Sequence, residues 1–188
     1  MVNFASLEFL FRFLPIFFTI YFLIPAKHKD VFLLVGSLFF YAMGDPVFFP
    51  VLLIATTFNY YWGKQIWKLR SGDKIHKWQE KERKKYMIKA VILDVLLLVV
   101  FKILGTFVDQ ALLPLGISFF TFQQLSYVID RMNGKAPHYD IVEYMSFVTF
   151  FPQLIAGPIV LHSELIPQFR DLEKRKFNNY FKLCFCYH

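Results

Sequence analysis

Cysteine is nearly missing from this chain: two among 188 residues, Cys184 and Cys186, both in the last five positions. Two thiols so close together cannot staple a fold, and no Cys/His spacing matches a structural zinc site, so neither a disulfide framework nor a metal-held scaffold is expected. Charge is also sparse, at 19% of residues, and acids are the scarcer sign, 14 Asp and Glu against 21 Lys and Arg. The first residues lack the cationic start and small-residue cleavage site of a secretory signal, so the first apolar run is expected to be a retained helix. No internal repeat is visible. Apolar surface is what abounds: 56% hydrophobic residues, 25 Phe and a mean hydropathy of +0.43. Soluble domains contain about 45–50% apolar residues. The expected fold class is therefore all-α: a polytopic transmembrane helical protein with broken or re-entrant segments.

A pI of 9.4 suggests nucleic acid at first sight. The distribution of charge removes that reading. Between Lys64 and Lys89 there are ten Lys and Arg against Asp73, Glu80 and Glu82, an excess equal to the net charge of the whole chain, +7. One basic loop accounts for the balance, and the positive-inside rule places that loop in the cytoplasm. The same loop is able to hold anionic lipid headgroups.

Apolar runs are Phe4–Ile24, Val31–Met43, Val47–Trp67, Met87–Val108, Leu113–Arg131 and Ile141–Leu161. A spanning helix needs about 20 apolar residues. In the first run Glu8 and Arg12 pair at i, i+4, Pro15 bends the helix and Pro25 closes it. Gly44-Asp45-Pro46 turns the chain, and the third run ends in an interfacial trim of Tyr60, Tyr61, Trp62 and Trp67 with Lys64 and Lys68. Charge parity puts the N-terminus outside, Lys27 and Lys29 inside, Asp45 and Asp109 outside, and Arg131 and Lys135 inside. The stretch from His162 to His188 reads as a cytoplasmic loop.

Leu113–Arg131 is the most unusual run. Ser118, Thr121 and Gln124 share one helical flank, while Gln123, Ser126 and Tyr127 lie across from them. Lipid tolerates such groups only where protein or a water-filled cavity encloses them, so the segment is expected to be wrapped by other helices. In Ile141–Leu161, Pro152, Gly157 and Pro158 forbid an unbroken helix. That run begins and ends beside basic residues, which favours a segment that enters and leaves on the cytoplasmic side. Asp94, in the fourth run, is either a functional carboxylate or one that reaches water or a cation near the cytoplasmic end; the second reading weighs slightly more. Lys102, eight residues on, is too distant to pair with it and snorkels outward.

PLGISFFTFQ (Pro114–Gln123) followed by FFPQLIAGPIV (Phe150–Val160) resembles the paired signature of the membrane-bound O-acyltransferase family. The nearer likeness is to its bacterial branch of alginate and cell-surface polysaccharide O-acetyltransferases; the teichoic-acid D-alanyl transfer proteins are more distant. The resemblance implies a ring of helices around a thinned, funnel-like centre. It implies O-acyl transfer, most simply of acetyl, from a cytoplasmic donor such as acetyl-CoA or an acyl-carrier thioester. The expected partners are the lipid bilayer and an extracytoplasmic glycan acceptor or a periplasmic or secreted acyltransferase, with no nucleic acid. It also implies a histidine base on a membrane helix, because a hydroxyl is a poor nucleophile until a group of near-neutral pKa takes its proton.

The sequence departs from that pattern. Members are more than twice as long, and none of His28, His76, His138, His162 and His188 lies within an apolar run or matches the family's histidine. Residues 1–181 are accordingly expected to be the N-terminal portion of an acyltransferase domain, with 182–188 an atypical tail arising from a frameshift or truncation. No catalytic residue and no metal ligand is assigned, the expected histidine lying beyond the chain. Ser118, Gln123, Gln124, Gln153, Gly157 and Pro158 are candidates to line a channel. Asp94 and His162 are weaker candidates. His162 follows the GPIV segment, where it could touch an anionic donor or lipid; an ordinary interfacial loop histidine is the plainer reading. The competing class is a non-enzymatic transporter or assembly subunit for a cell-surface glycan, since broken apolar segments mark transport paths too.

Overall fold

A computed structural model of the chain describes residues 11, 13–25, 28–70, 76–154 and 160–172. Every regular element among them is helical: α1 (Leu14–Leu23), α2 (Lys29–Gly44), α3 (Phe49–Lys68), α4 (Lys77–Phe107), a 3-10 turn (Gln110–Leu112), α5 (Ile117–Asn133), α6 (Ile141–Thr149), α7 (Phe151–Leu154) and α8 (His162–Leu172). The expected pairing of Glu8 with Arg12, the positions Lys27, Gly157 and Pro158, and the tail 182–188 fall outside the described residues. Pro15 sits at the second position of α1, just after the π-helical residues Phe11 and Phe13, so regular α-helix begins only beside this proline.

Helices α3, α4 and α5 form the centre of the bundle. At one end, Tyr41 and Asp45, from the close of α2, grip the peptide of Leu115. The Tyr41 hydroxyl donates to the Leu115 carbonyl at 2.9 Å, and Asp45 Oδ2 accepts from the Leu115 N–H at 2.9 Å. Asp45 Oδ1 meanwhile accepts from the Phe48 N–H and opens α3. At the other end, Arg131 of α5 lies over the ring of Trp67, in the last turn of α3, and Arg83, near the start of α4, donates to the Met132 carbonyl at 2.6 Å. Thus α3 and α5 run the same way and α4 runs against them. Gly116 (φ 68°) enters α5 and Gly134 (φ 77°) closes it, both left-handed, a conformation that glycine adopts without penalty. Close approach of α3 to α5 depends on Gly63, where a Cβ would fall 2.5 Å from the Tyr127 ring.

The described parts of the basic stretch are mostly helix rather than loop. Lys64 and Lys68 end α3, and Lys77–Lys89 form the first turns of α4, started by a His76/Gln79 capping box. Lys, Glu, Gln and Arg are strong helix formers, and exposed Lys84–Glu80 and Lys85–Glu82 pairs support the helix. His162–Leu172 is likewise a helix rather than a loop. Its Leu165, Ile166 and Phe169 are buried and its Ser163, Glu164, Pro167 and Arg170 exposed.

The run Ile141–Leu161 is broken. An Asp140/Glu143 capping box starts α6, which ends at Thr149; Phe150 leaves helical geometry (ψ 104°), and Pro152, lacking an N–H, sits in the short α7. Phe151 packs at the far side, against Phe13, Phe17 and Phe40. The two flanks of the run nevertheless meet: Tyr139 and His162 are 3.0 Å apart through their polar atoms. Tyr139 and His162 therefore lie at the same end of the bundle.

The exterior is apolar. Ile88, Ile92, Val95, Leu96, Val99, Val100 and Ile103 of α4 are all exposed, and only Arg83, Ala90 and Asp94 of that helix are buried. In water each such aliphatic side chain would forgo about 1.5–3 kcal/mol of burial, an arrangement suited to lipid. Gln110–Asn133 is long and apolar enough to cross a membrane. Lys102 is exposed, as a snorkelling residue must be.

Candidate functional site

Two buried polar clusters occupy the bundle. The first lies among α3, α4 and α5. Asn59 Nδ2 donates to the Ala55 carbonyl at 3.1 Å, to Asp94 Oδ1 at 2.7 Å and to Gln124 Oε1, three acceptors around an amide with two hydrogens. Asn59 and Gln124 are fully buried and Asp94 is 2% exposed. Asp94 is thus shielded from water, and among the described residues its partner is an amide 35 positions away rather than a cation. Among the described residues, Asn59 Oδ1, Asp94 Oδ2 and Gln124 Nε2 have no hydrogen-bond partner. Gln123, on the other flank of α5, is buried with Oε1 unpaired. Together these groups offer one donor and three acceptors to any polar group brought into the bundle. A half-paired buried network costs stability, so it is the natural place to look for a ligand path.

The second cluster closes the hairpin. His162 Nε2 is 3.0 Å from Asp130 Oδ2, and His162 Nδ1 is 3.0 Å from the Tyr139 hydroxyl. The ring is fully buried against Tyr127, Tyr139 and Phe147. Burial pushes the imidazole below its ordinary pKa, while the Asp130 hydrogen bond opposes that shift. The neutral ring then carries its proton on Nε2, donated to Asp130, and accepts at Nδ1 from Tyr139. Both nitrogens are occupied, so the imidazole has no free lone pair with which to deprotonate a substrate. Beside it, Arg131 is 1% exposed among the rings of Trp67, Tyr127 and Tyr139, with Nε donating to the Tyr127 hydroxyl at 3.0 Å and Nη1 to the Ala136 carbonyl. On the rim, Arg170 of α8 binds both carboxylate oxygens of Glu143 and the His138 carbonyl.

The residues singled out from sequence divide between these clusters and the rest of the bundle. Gln124 and Asp94 share the first cluster, and Gln123 lies buried on the same helix as Gln124. Ser118 is half-buried near the start of α5, and Gln153 is buried in α7. His162 is not an interfacial loop residue but the anchor of the second cluster. Asn59, Asp130, Arg131 and Tyr139 escape a reading of the sequence as candidates. An Asn within an otherwise apolar run and an Asp-Arg pair closing another are the signals that point to them.

These features define a class: an all-helical bundle with a largely apolar exterior, a half-paired polar seam and a buried histidine that ties α8 to α5 and to Tyr139. Over 184 residues the chain is 35% identical to a protein of Azotobacter vinelandii named probable alginate O-acetylase AlgI, covering 88% of this chain and 36% of the relative. It is 34% identical over 184 residues to the protein of that name from Pseudomonas aeruginosa, covering 88% of this chain and 34% of the relative. A peptidoglycan O-acetyltransferase of Helicobacter pylori is 34% identical over 216 residues, covering 90% of this chain and 39% of the relative. The chain belongs with these proteins to the membrane-bound O-acyltransferase family. It spans about a third of the length of these curated relatives. No family model matches the chain, and no solved structure matches it.

Proposed function

We propose that this chain forms one wall of the acyl-transfer passage of a membrane O-acyltransferase that esterifies hydroxyls of an extracytoplasmic polysaccharide, with acetyl as the transferred group. The observation that carries this reading is its identity of 34–35% to relatives named for O-acetyl transfer to alginate and to peptidoglycan, over most of this chain. The donor, acetyl-CoA or an acyl-carrier thioester, approaches from the cytoplasm. The acceptor is an extracytoplasmic glycan or a periplasmic or secreted partner acyltransferase. Helices cross the membrane with the basic ends of α3 and α4 inside, and the segment 141–161 re-enters from that side. Ser118, Gln123, Gln124 and Gln153 line the passage, joined by Asn59 and Asp94.

Transfer to a hydroxyl needs a general base and stabilisation of a tetrahedral oxyanion. Among the described residues the only buried histidine, His162, uses both ring nitrogens internally. That occupancy favours a non-catalytic, wall-forming role for this part of the protein. The same occupancy supports the alternative of a non-enzymatic assembly subunit. Deleting the locus and measuring ester-linked acetate on the cell-surface glycan separates the two: loss of acetate is expected, and unchanged acetate contradicts the proposed function.

A further inference from the structure

Asp94 is 2% exposed where α3, α4 and α5 pack together. Its Oδ1 accepts from Asn59 Nδ2 at 2.7 Å, and among the described residues its Oδ2 has no donor. The described groups that face it are uncharged. They are Asn59 from α3, Gln124 from α5, joined to it through Asn59, and the Tyr144 hydroxyl from α6. Tyr144 is fully buried, its hydroxyl has no partner, and it lies within electrostatic range of the Asp94 carboxyl. The 3-10 turn that also packs on α4 holds no ionisable residue. On α4 itself Lys89 and Lys102 are both exposed, and they stand about 7.5 and 12 Å away along the axis.

Donors are short here. Asn59 Nδ2 has two hydrogens for three oxygens, those of Ala55, Asp94 and Gln124. An ionised Asp94 would add a full charge to that shortage, and burying an unpaired carboxylate costs far more than burying a neutral polar group. Water, a cation or a proton could relieve the cost. The free oxygens of Asp94 and Asn59 are sealed from the surface, so as the helices pack neither water nor a cation has room against them. A proton needs no room. It also turns the carboxyl into a donor among these oxygens.

We infer that Asp94 is a proton-binding site: at neutral pH it stands in the packed bundle as a carboxylic acid. The O–H bond breaks when the helices part and water reaches the carboxyl, and the proton passes to that water. Opening of the bundle and release of the proton are then one event. Ionisable side chains within membrane helices serve proton relays in this way. The inference does not depend on the acyl-transfer reading, because nothing in it requires a donor or an acceptor.

The test is the infrared spectrum of the purified full chain in an ester-free detergent at pH 7, where exposed Asp and Glu, with ordinary pKa values of about 3.9 and 4.3, are ionised. A carboxylic-acid carbonyl band is expected above the amide bands. It should shift when aspartate is labelled with carbon-13, be lost completely in Asp94→Asn, and disappear when the protein is unfolded at the same pH. Circular dichroism identifies an unfolded Asp94→Asn protein, in which case Asp94→Glu carries the test. That variant keeps a carboxyl, so its acid band should remain but no longer respond to aspartate labelling. Absence of an acid band from the folded wild-type protein overturns the inference. So does a labelled band that persists unchanged in either folded variant.

Discussion

The two buried polar clusters differ in how completely they are paired. Around His162 each ring nitrogen has a partner, and Arg131 beside it is ringed by aromatic faces and bonded to Tyr127 and Ala136. Around Asn59, one oxygen of Asp94, the oxygen of Asn59 and the nitrogen of Gln124 are left over among the described residues. The first arrangement ties His162 to Tyr139 and to Asp130 of α5, 23 and 32 residues away, and contributes to holding them. The second leaves polar capacity unused in the interior, a cost that folding alone gives no reason to carry. The contrast assigns the His162 cluster to architecture and leaves the Asn59 cluster with spare polar capacity, as the proposed passage requires.

The sharpest way to break that division is His162→Ala. It deletes both hydrogen bonds, opens a cavity among three aromatic rings and leaves the Asp130 carboxylate and the Tyr139 hydroxyl unpaired. A loss of about 2–4 kcal/mol is expected from reversible unfolding in detergent. A loss below about 0.5 kcal/mol, the scale of an ordinary surface substitution, would show that the histidine pins nothing.

The pH dependence is the next largest effect. Burial lowers the folded-state pKa of His162, with Asp130, Arg131 and Tyr139 as the charged or titratable groups around it. The unfolded chain therefore binds the proton more readily. Stability is full above the ordinary histidine pKa of about 6.5 and falls as pH drops below it, until the folded-state value is passed. Melting curves between pH 5 and 8 measure this, and His162→Gln, which cannot take the proton, should flatten the profile. A wild-type profile that rises on acidification would give the shift the wrong sign.

The smallest effect is expected at the other cluster. Asp94→Asn keeps the side-chain shape and an acceptor for Asn59, so stability should change by less than about 1 kcal/mol in either direction. The same unfolding assay checks it. A cost as large as that of His162→Ala would erase the distinction between the clusters.

Much of the helical order is legible in the sequence, because apolar run length is a local property. Val31–Met43 and Val47–Trp67 correspond closely to α2 and α3, and the Pro-broken run to α6 and α7. The polar flanks of Leu113–Arg131 are legible as well: Thr121, Gln123, Gln124 and Tyr127 are all buried. Charge is what misleads. A dense Lys and Arg stretch reads as solvated loop, yet its residues are good helix formers, and Lys77–Lys89 continues straight into the apolar part of α4. Pairing at a distance stays hidden. Asn59 and Asp94 are 35 residues apart, Asp130 and His162 are 32 apart, and Asp45 and Leu115 are 70 apart. No local period encodes such contacts. His162 looks like a loop residue because only the folded hairpin brings Tyr139 and Asp130 to it.

The hairpin closed by His162 is the central structural claim, and sided labelling tests it most directly. Lys135 and Glu164 are both exposed and flank the segment. With Cys184 and Cys186 replaced by serine, Lys135→Cys and Glu164→Cys are made singly and treated with a membrane-impermeant thiol reagent in intact cells and in inverted vesicles. Both positions should react in inverted vesicles and neither in intact cells. Reaction from opposite sides would mean that the segment crosses the membrane, and would contradict the account.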